Sequence, residues 1–175
     1  MQNMEIYIRR ATKEDAPVIA EIGRVTVRQA HMASCSEADM DHFISGHYND
    51  AAIQKELSGP QHIYHLLFCG ERAVGFSKIV LNAGHPNIGD ANVTKLDRIY
   101  LYSHVLGQRL GYRLLQHNID LSKAQGQCAM WLFTWTGNER AVAFYKRAGF
   151  DIVGEHMFKI SETHSNPNHQ MLLRY

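Results

Sequence analysis

NERAVAFYKRAGF, Asn138–Phe150, is the stretch that decides how the chain is read. It makes one short helix. Asn138 can accept from the free backbone amides of a first turn, and Gly149 fits the position just past a last turn, where the backbone turns left-handed. Ala141, Val142 and Ala148 supply a core face. Tyr145 lies three or four residues from Ala141 and Ala148 and shares their inward side, although a buried phenol needs a hydrogen-bond partner. On the residues alone it is either structural or chemically active.

Working outward, CAMWLFTW (128–135) is apolar on both faces, as a central strand buried on two sides would be. A helix over about 109–125 precedes it, with Leu110, Leu114, Leu115, Ile119 and Leu121 on one side and Gly126 past its end. KLDRIYLY (95–102) is strand-like, and the strand–helix–strand run from 95 to 135 predicts a right-handed parallel crossover. Beyond the opening helix come a strand at 150–160, a loop SETHSNPN (161–168) and a last strand HQMLLRY (169–175).

Towards the N-terminus, MEIYIRR (4–10) alternates like a strand. Thr12 with Asp15 approximates a capping box that opens a helix through Val27, with Val18, Ile19, Ile22 and Val25 on its core stripe. SEADMDHFIS and DAAIQKELSG make two shorter helices, begun by Ser36 with Asp39 and by Asn49 or Asp50. Residues 62–69 and 73–81 predict a hairpin, and 82–94 a loop. The order is β, helices, three strands, α, β, α, β, β. A mixed α/β sheet with helices on both faces packs that order.

Bulk properties narrow the function. The 175 residues suit a single domain over 1–175, with 45% hydrophobic residues, 20% charged and a net charge of +1. That balance argues against nucleic acid, whose phosphates need a concentrated basic face. No run of eighteen apolar residues suggests a membrane span, and MQNMEIYIRRATKEDA is unlike a secretory signal. Cys35, Cys69 and Cys128 are few, odd in number and far apart, which suggests reduced thiols and a cytoplasmic home; Cys69 and Cys128 read as buried. The eleven histidines stand at no metal-ligand spacing, so no metal is expected. His62 and His65 fall on opposite faces of their strand.

In SHVLGQRLGYRLL (103–115), Gly107 and Gly111 flank a strand-to-helix turn. Its unpaired backbone amides and the positive helix start suit a pyrophosphate, with Arg109 and Arg113 adding charge. The same pattern also serves as an ordinary helix start.

The glycine turn, the helix, the apolar strand and N-x-x-A-x-x-F-Y-x-x-x-G-F together resemble the GNAT superfamily of N-acetyltransferases, over roughly 4–175. RIYLYSHVLGQRLGYRLL, WLFTW and GEHMF look like its bacterial polyamine (spermidine/spermine-type) branch. The resemblance implies a mostly antiparallel sheet whose parallel pair, 95–102 and 128–135, splays to admit the pantetheine of acetyl-CoA. Backbone groups of Ile99, Tyr100 and Leu101 would then hold the thioester end, with an N–H near Leu101 on the oxyanion. The turn Leu106, Gly107, Gln108, Arg109, Leu110, Gly111, Tyr112 would take the pyrophosphate. It departs from the family's Q/R-x-x-G-x-G/A in having Leu106 at the leading position and Arg109 at the middle glycine. Asn138 would contact the pantetheine, while Arg140, Lys146 and Arg147 are either near the nucleotide phosphates or simply solvated.

For the chemistry, the resemblance implies Tyr145 as general acid to the departing thiolate. Asp97, read as sharing a strand face with Ile99, would accept the amine's proton; the rival reading pairs it with Lys95 or another cation. The acceptor would enter between the first helix, 29–59 and the loop after 81. There Glu37, Asp39, Asp41 and Glu56 could attract a polyamine, and His31, Tyr48 and Tyr64 could line its path. The expected reaction is acetyl transfer from acetyl-CoA to a primary amine of a small molecule. A non-catalytic acyl-CoA sensor and a protein lysine or N-terminal acetyltransferase are the alternatives, and a homodimer paired through the C-terminal strand is conceivable.

Overall fold

A computed structural model describes residues 5–175. Seven strands form one sheet: β1 (Ile6–Arg10), β2 (His62–Cys69), β3 (Arg72–Val80), β4 (Val93–Leu101), β5 (Ala129–Trp135), β6 (Asp151–Lys159) and β7 (Ser165–Arg174). Their spatial order is β1-β2-β3-β4-β5-β7-β6, and every neighbouring pair is antiparallel except β4–β5. Helices α1 (Ala16–His31), α2 (Glu37–His47) and α3 (Asp50–Leu57) lie on one face, and α4 (Leu110–Ala124) and α5 (Glu139–Arg147) on the other. The mixed sheet with helices on both faces expected from the order of elements is observed, and its mostly antiparallel pairing is the one the resemblance implied.

Local rules account for most boundaries. The capping box at Thr12 and Asp15 is formed, Asn49 and Asn138 each accept an amide two or three residues into their helices, and Gly70, at φ +58, makes the tight β2–β3 turn. Val18 and Val25, however, are exposed rather than on the core stripe of α1. The buried stripe is rotated to Ile19, Ile22, Gly23 and Val27, because the ring of Tyr48 lies against Gly23 so closely that a Cβ there would sit 2.0 Å from it. α1 also runs on past Val27 to His31.

Two strands extend into stretches read as loops. β4 begins at Val93, and β7 begins at Ser165 despite its Pro167. The pairing with β6 runs on through Lys159 and Ser165, and Pro167, lacking an N–H, contributes its carbonyl to the Thr136 amide at 3.0 Å. Cys128 is exposed and Cys69 half-buried, so neither is the buried thiol that its apolar neighbours suggested. Both sit at strand ends, where the chain leaves the core.

The parallel pair is the unusual feature. β4 and β5 are in register only at Val93–Ala129, Thr94–Met130 and Lys95–Trp131. Beyond these the strands diverge, while β4 stays paired to β3 through Leu101 and β5 to β7 through Trp135. An extra residue on β4 accompanies the divergence: Lys78 faces Arg98, but Ile79 faces Leu96, leaving Asp97 as a bulge. A bulge bends its strand and increases its twist, which carries β4 away from β5. The inner edges of both strands are left without sheet partners, and such edges need water or a ligand.

Candidate active site

The wedge opens into a cavity of about 340 Å³. Asp97, Arg98, Ile99 and Tyr100 of β4 form one wall, and Phe133, Thr134 and Trp135 of β5 the other. Asn138, which caps α5, and Ala141 and Tyr145 within it also line the cavity, as do Val27, His31, Met40 and Phe43 of α1 and α2. The β6–β7 hairpin adds Phe158, Ile160, Asn166 and Asn168. Trp135 stands against the backbone of Gly137, where a Cβ would meet its ring at 2.3 Å, so the small residue fixes the indole as a wall.

Tyr145 is buried, its ring edge-on to Phe144 and Phe150 at 5.2 and 5.7 Å, and it borders the cavity. Burial raises its pKa, so the phenol keeps its proton at physiological pH. Ala141 and Ala148 pack beside it on the same inward face. Asn138 caps α5 by accepting from the Ala141 amide at 3.1 Å, which leaves its NH₂ group uncommitted at the cavity wall.

Asp97 is not on the face of Ile99. The bulge breaks the two-residue alternation: Ile99 packs towards α4 and α5, whereas Asp97 turns to the opposite face, beside Lys78 at 2.8 Å and Lys95 at 2.9 Å. Burial alone would raise its carboxyl, but Lys78, Lys95 and Arg98 outweigh it and hold the group well below the carboxylate range. Glu56 reaches in from α3, accepting from both terminal nitrogens of Arg98 and meeting Lys78 at 2.7 Å, while the Tyr64 hydroxyl donates to it. Burial opposes the ionised form of Glu56 too, and Arg98 and Lys78 again prevail. Of the two readings of Asp97, the geometry matches the ion pair. A carboxylate so committed is a feeble proton acceptor.

The acceptor end departs from expectation in its walls. α1, α2 and Glu56 contribute as anticipated, but Glu37, Asp39 and Asp41 do not border the cavity: Asp41 pairs with Arg28 and Asp39 with Ser36. The β6–β7 hairpin, not the loop after 81, closes that side. Lys78, Arg98, Phe43, Trp135 and Phe158 were not anticipated. Lys78 alone carried a visible signal, being a charge in the middle of an apolar strand, FSKIV, and is now 4% exposed. His31 borders the cavity with its Nε2 3.4 Å from the Tyr100 hydroxyl, and burial lowers its pKa, keeping the ring neutral.

The turn Leu106–Tyr112 lies after β4 and outside this cavity. Leu106, Gly107, Gln108 and Arg109 are exposed, Gly107 takes φ +83 and Arg109 takes φ +60. Arg109 thus adopts the left-handed conformation that a glycine would supply, so its presence does not alter the path of the turn. Leu110, Gly111 and Tyr112 begin α4, where the first backbone amides have no intrahelical partner. Arg140, Lys146 and Arg147 are exposed on α5.

The family model "Acetyltransferase (GNAT) family" matches residues 21–150. A spermidine N(1)-acetyltransferase of Thermoplasma acidophilum is 24% identical over 153 residues, 85% of this chain and 90% of that one. An uncharacterized N-acetyltransferase of Lactobacillus delbrueckii subsp. lactis is 24% identical over 157 residues, covering 90% and 91%. Among solved structures, the PaiA N-acetyltransferase of Thermoplasma acidophilum in complex with coenzyme A superposes with a TM-score of 0.81 at 20% identity, over 98% of this chain and all of that one (100%). An acetyltransferase from Thermus thermophilus gives 0.71 at 16% identity, with 100% of both chains covered. At such identities the structural likeness speaks for the fold.

Proposed function

The chain belongs to the GNAT acetyltransferase family, and from that premise we propose that it transfers the acetyl group of acetyl-CoA to a primary amine of a small molecule, with Tyr145 as the general acid. The observation that carries this reading is the wedge between β4 and β5, with Tyr145 and Asn138 bordering the same cavity. A pantetheine arm satisfies the unpaired inner edge of β4 at Ile99, Tyr100 and Leu101 as an added strand would, and the exposed turn from Leu106 to Tyr112 receives the pyrophosphate on backbone amides. Arg140 and Arg147, exposed on α5, add positive charge on the outer side.

The reaction then needs two proton movements. The amine nitrogen attacks the thioester carbon as the neutral base, the carbonyl oxygen becomes an oxyanion held by a β4 amide near Leu101, and the C–S bond breaks. The departing thiolate takes a hydrogen bond and then a proton from the Tyr145 hydroxyl. We assign the amine's proton to His31, directly or through a water, because its ring is neutral, faces the cavity and adjoins Tyr100. Asp97 then serves to fix Lys78, Lys95 and Arg98 rather than to move protons.

Polyamine acceptors are a second reading, favoured by the name of the Thermoplasma relative. The sparse free thiols fit a cytoplasmic setting. The test is thiol release from acetyl-CoA against panels of polyamines, amino acids and peptides. Turnover on a small amine supports the proposal. Turnover on peptides alone points to a protein acetyltransferase, and thermal stabilisation by CoA without turnover on any acceptor points to a sensor; either result refutes it.

A further inference from the structure

The charged groups at the acceptor end carry information about what can enter. Glu56, Lys78, Lys95, Asp97 and Arg98 all border the cavity, three cations against two carboxylates. Both carboxylates are spent. Glu56 holds Lys78, Arg98 and the Tyr64 hydroxyl, and Asp97 holds Lys78 at 2.8 Å and Lys95 at 2.9 Å, with Arg98 at 3.8 Å. An incoming polycation would have to displace Lys78 or Arg98, whose side chains are only 5% and 10% exposed. It would also bring its own charges into a chamber that is already net positive.

Lys95 is placed differently. Its ammonium contacts one carboxylate oxygen, although such a group carries three donors. It sits 5.4 Å from the centre of the Trp131 ring and 5.7 Å from that of Phe133, with 27% of its side chain exposed. It has fewer carboxylate contacts and more exposure than Lys78 or Arg98, and it lies on the same strand, β4, as Ile99, where the thioester is proposed to lie. The rest of the lining mixes polar groups, among them His31, Thr134, Asn138 and Asn166, with an apolar, largely aromatic set: Met40, Trp135, and Phe43 with Phe158, whose ring centres lie 6.1 Å apart.

We propose that the acceptor is an apolar or aromatic amino acid, or a close analogue: a primary amine whose carboxylate is received by Lys95 and whose side chain is held by Phe43, Trp135 and Phe158. The proposal rests on the acetyltransferase reading and deepens it. A carboxylate two bonds from the amine neutralises the excess positive charge, engages the unspent donors of Lys95 and orients the nitrogen towards the wedge. The side chain then fills the apolar end. A polyamine supplies none of these contacts.

The experiment compares leucine, methionine, phenylalanine and tryptophan, each with its decarboxylated amine, and spermidine, by thiol release from acetyl-CoA with the full-length protein. At least one amino acid should exceed its own amine by tenfold or more in kcat/KM, with spermidine below that amino acid. Lys95→Met should bring the ratio within a pair towards one, and Lys95→Arg should largely keep it. Spermidine turned over better than every amino acid overturns the inference while leaving the acetyltransferase reading intact. A pair ratio unchanged by Lys95→Met does the same. No release with any amine, despite stabilisation by CoA, refutes both. If Lys95→Met fails to fold, the comparison of acceptors on the unaltered protein still decides.

Discussion

Asp97→Asn separates the two roles that this carboxylate could play. The replacement keeps the shape and removes the charge, so Lys78, Lys95 and Arg98 lose one of the two anions that hold them together. Breaking one partner out of a buried ion pair typically costs about 3–5 kcal/mol. Asp97 is 20% exposed at its side chain, which places the expected loss near the lower figure, about 3 kcal/mol. For a chain of this length that lowers the melting temperature by about 6–12 °C. The folded-state pKa of Asp97 is depressed, so its contribution is fully present above the unfolded carboxylate value, about 3.9, and is lost as pH falls through the lower folded value. Thermal unfolding followed by circular dichroism should therefore show a constant gap between the two proteins from pH 5 to pH 8, narrowing below pH 4. The rise of kcat/KM with pH should keep its shape in the variant, because His31 and the amine set that limb. A loss below about 1 kcal/mol, together with a vanished low-pH limb, would restore Asp97 as the base and refute the ion-pair account.

Other expectations follow from single contacts. Tyr145→Phe should lower kcat by about 10²-fold or more, the usual worth of a positioned general acid, while the dissociation constant for CoA stays within about twofold; full activity across pH would remove the hydroxyl from the mechanism. Arg109→Gly relieves a left-handed residue, φ +60, at a cost of about 1 kcal/mol, so its melting temperature should rise by a few degrees, and a fall would show that the arginine side chain makes a stabilising contact. His65 is buried between β2 and α4, its Nδ1 donating to Asn118 Oδ1 at 3.1 Å while the Asn118 amide nitrogen donates to Ser77 and Leu114. Burial, helped by His117, pushes its pKa down to about 4. The folded pKa lies below the unfolded value near 6.5, so His65 costs stability as pH falls, about 3 kcal/mol between pH 7 and pH 4. His65→Gln should flatten that part of the stability profile; an unchanged slope assigns the acid sensitivity to other groups.

The order of elements was legible because periodicity, caps and turn residues agree almost everywhere. NERAVAFYKRAGF was decisive because its cap, core face and stop all fall at the required spacing, and the one residue that a core would not demand, Tyr145, borders the cavity. What the sequence hid were effects that depend on two strands at once. The bulge at Asp97 exists only in the register of β4 against β3, and it moved Asp97 to the face opposite Ile99. The Ser165–Asn168 end of β7 is rich in turn-forming residues, yet its pairing with β6 makes it strand. The charged cluster gathers Glu56, Lys78 and Asp97 from three separate elements, and no local pattern joins them. Lys78 came nearest to being visible, since a lysine in a buried strand requires a partner.

A crystal structure with CoA tests the central claim most directly. The pantetheine should lie along the inner edge of β4, between β4 and β5, with its sulfur within about 3.5 Å of the Tyr145 hydroxyl, a hydrogen-bond distance for a sulfur partner. A cofactor bound elsewhere, or a sulfur facing away from that hydroxyl with β4 and β5 closed on each other, would contradict it.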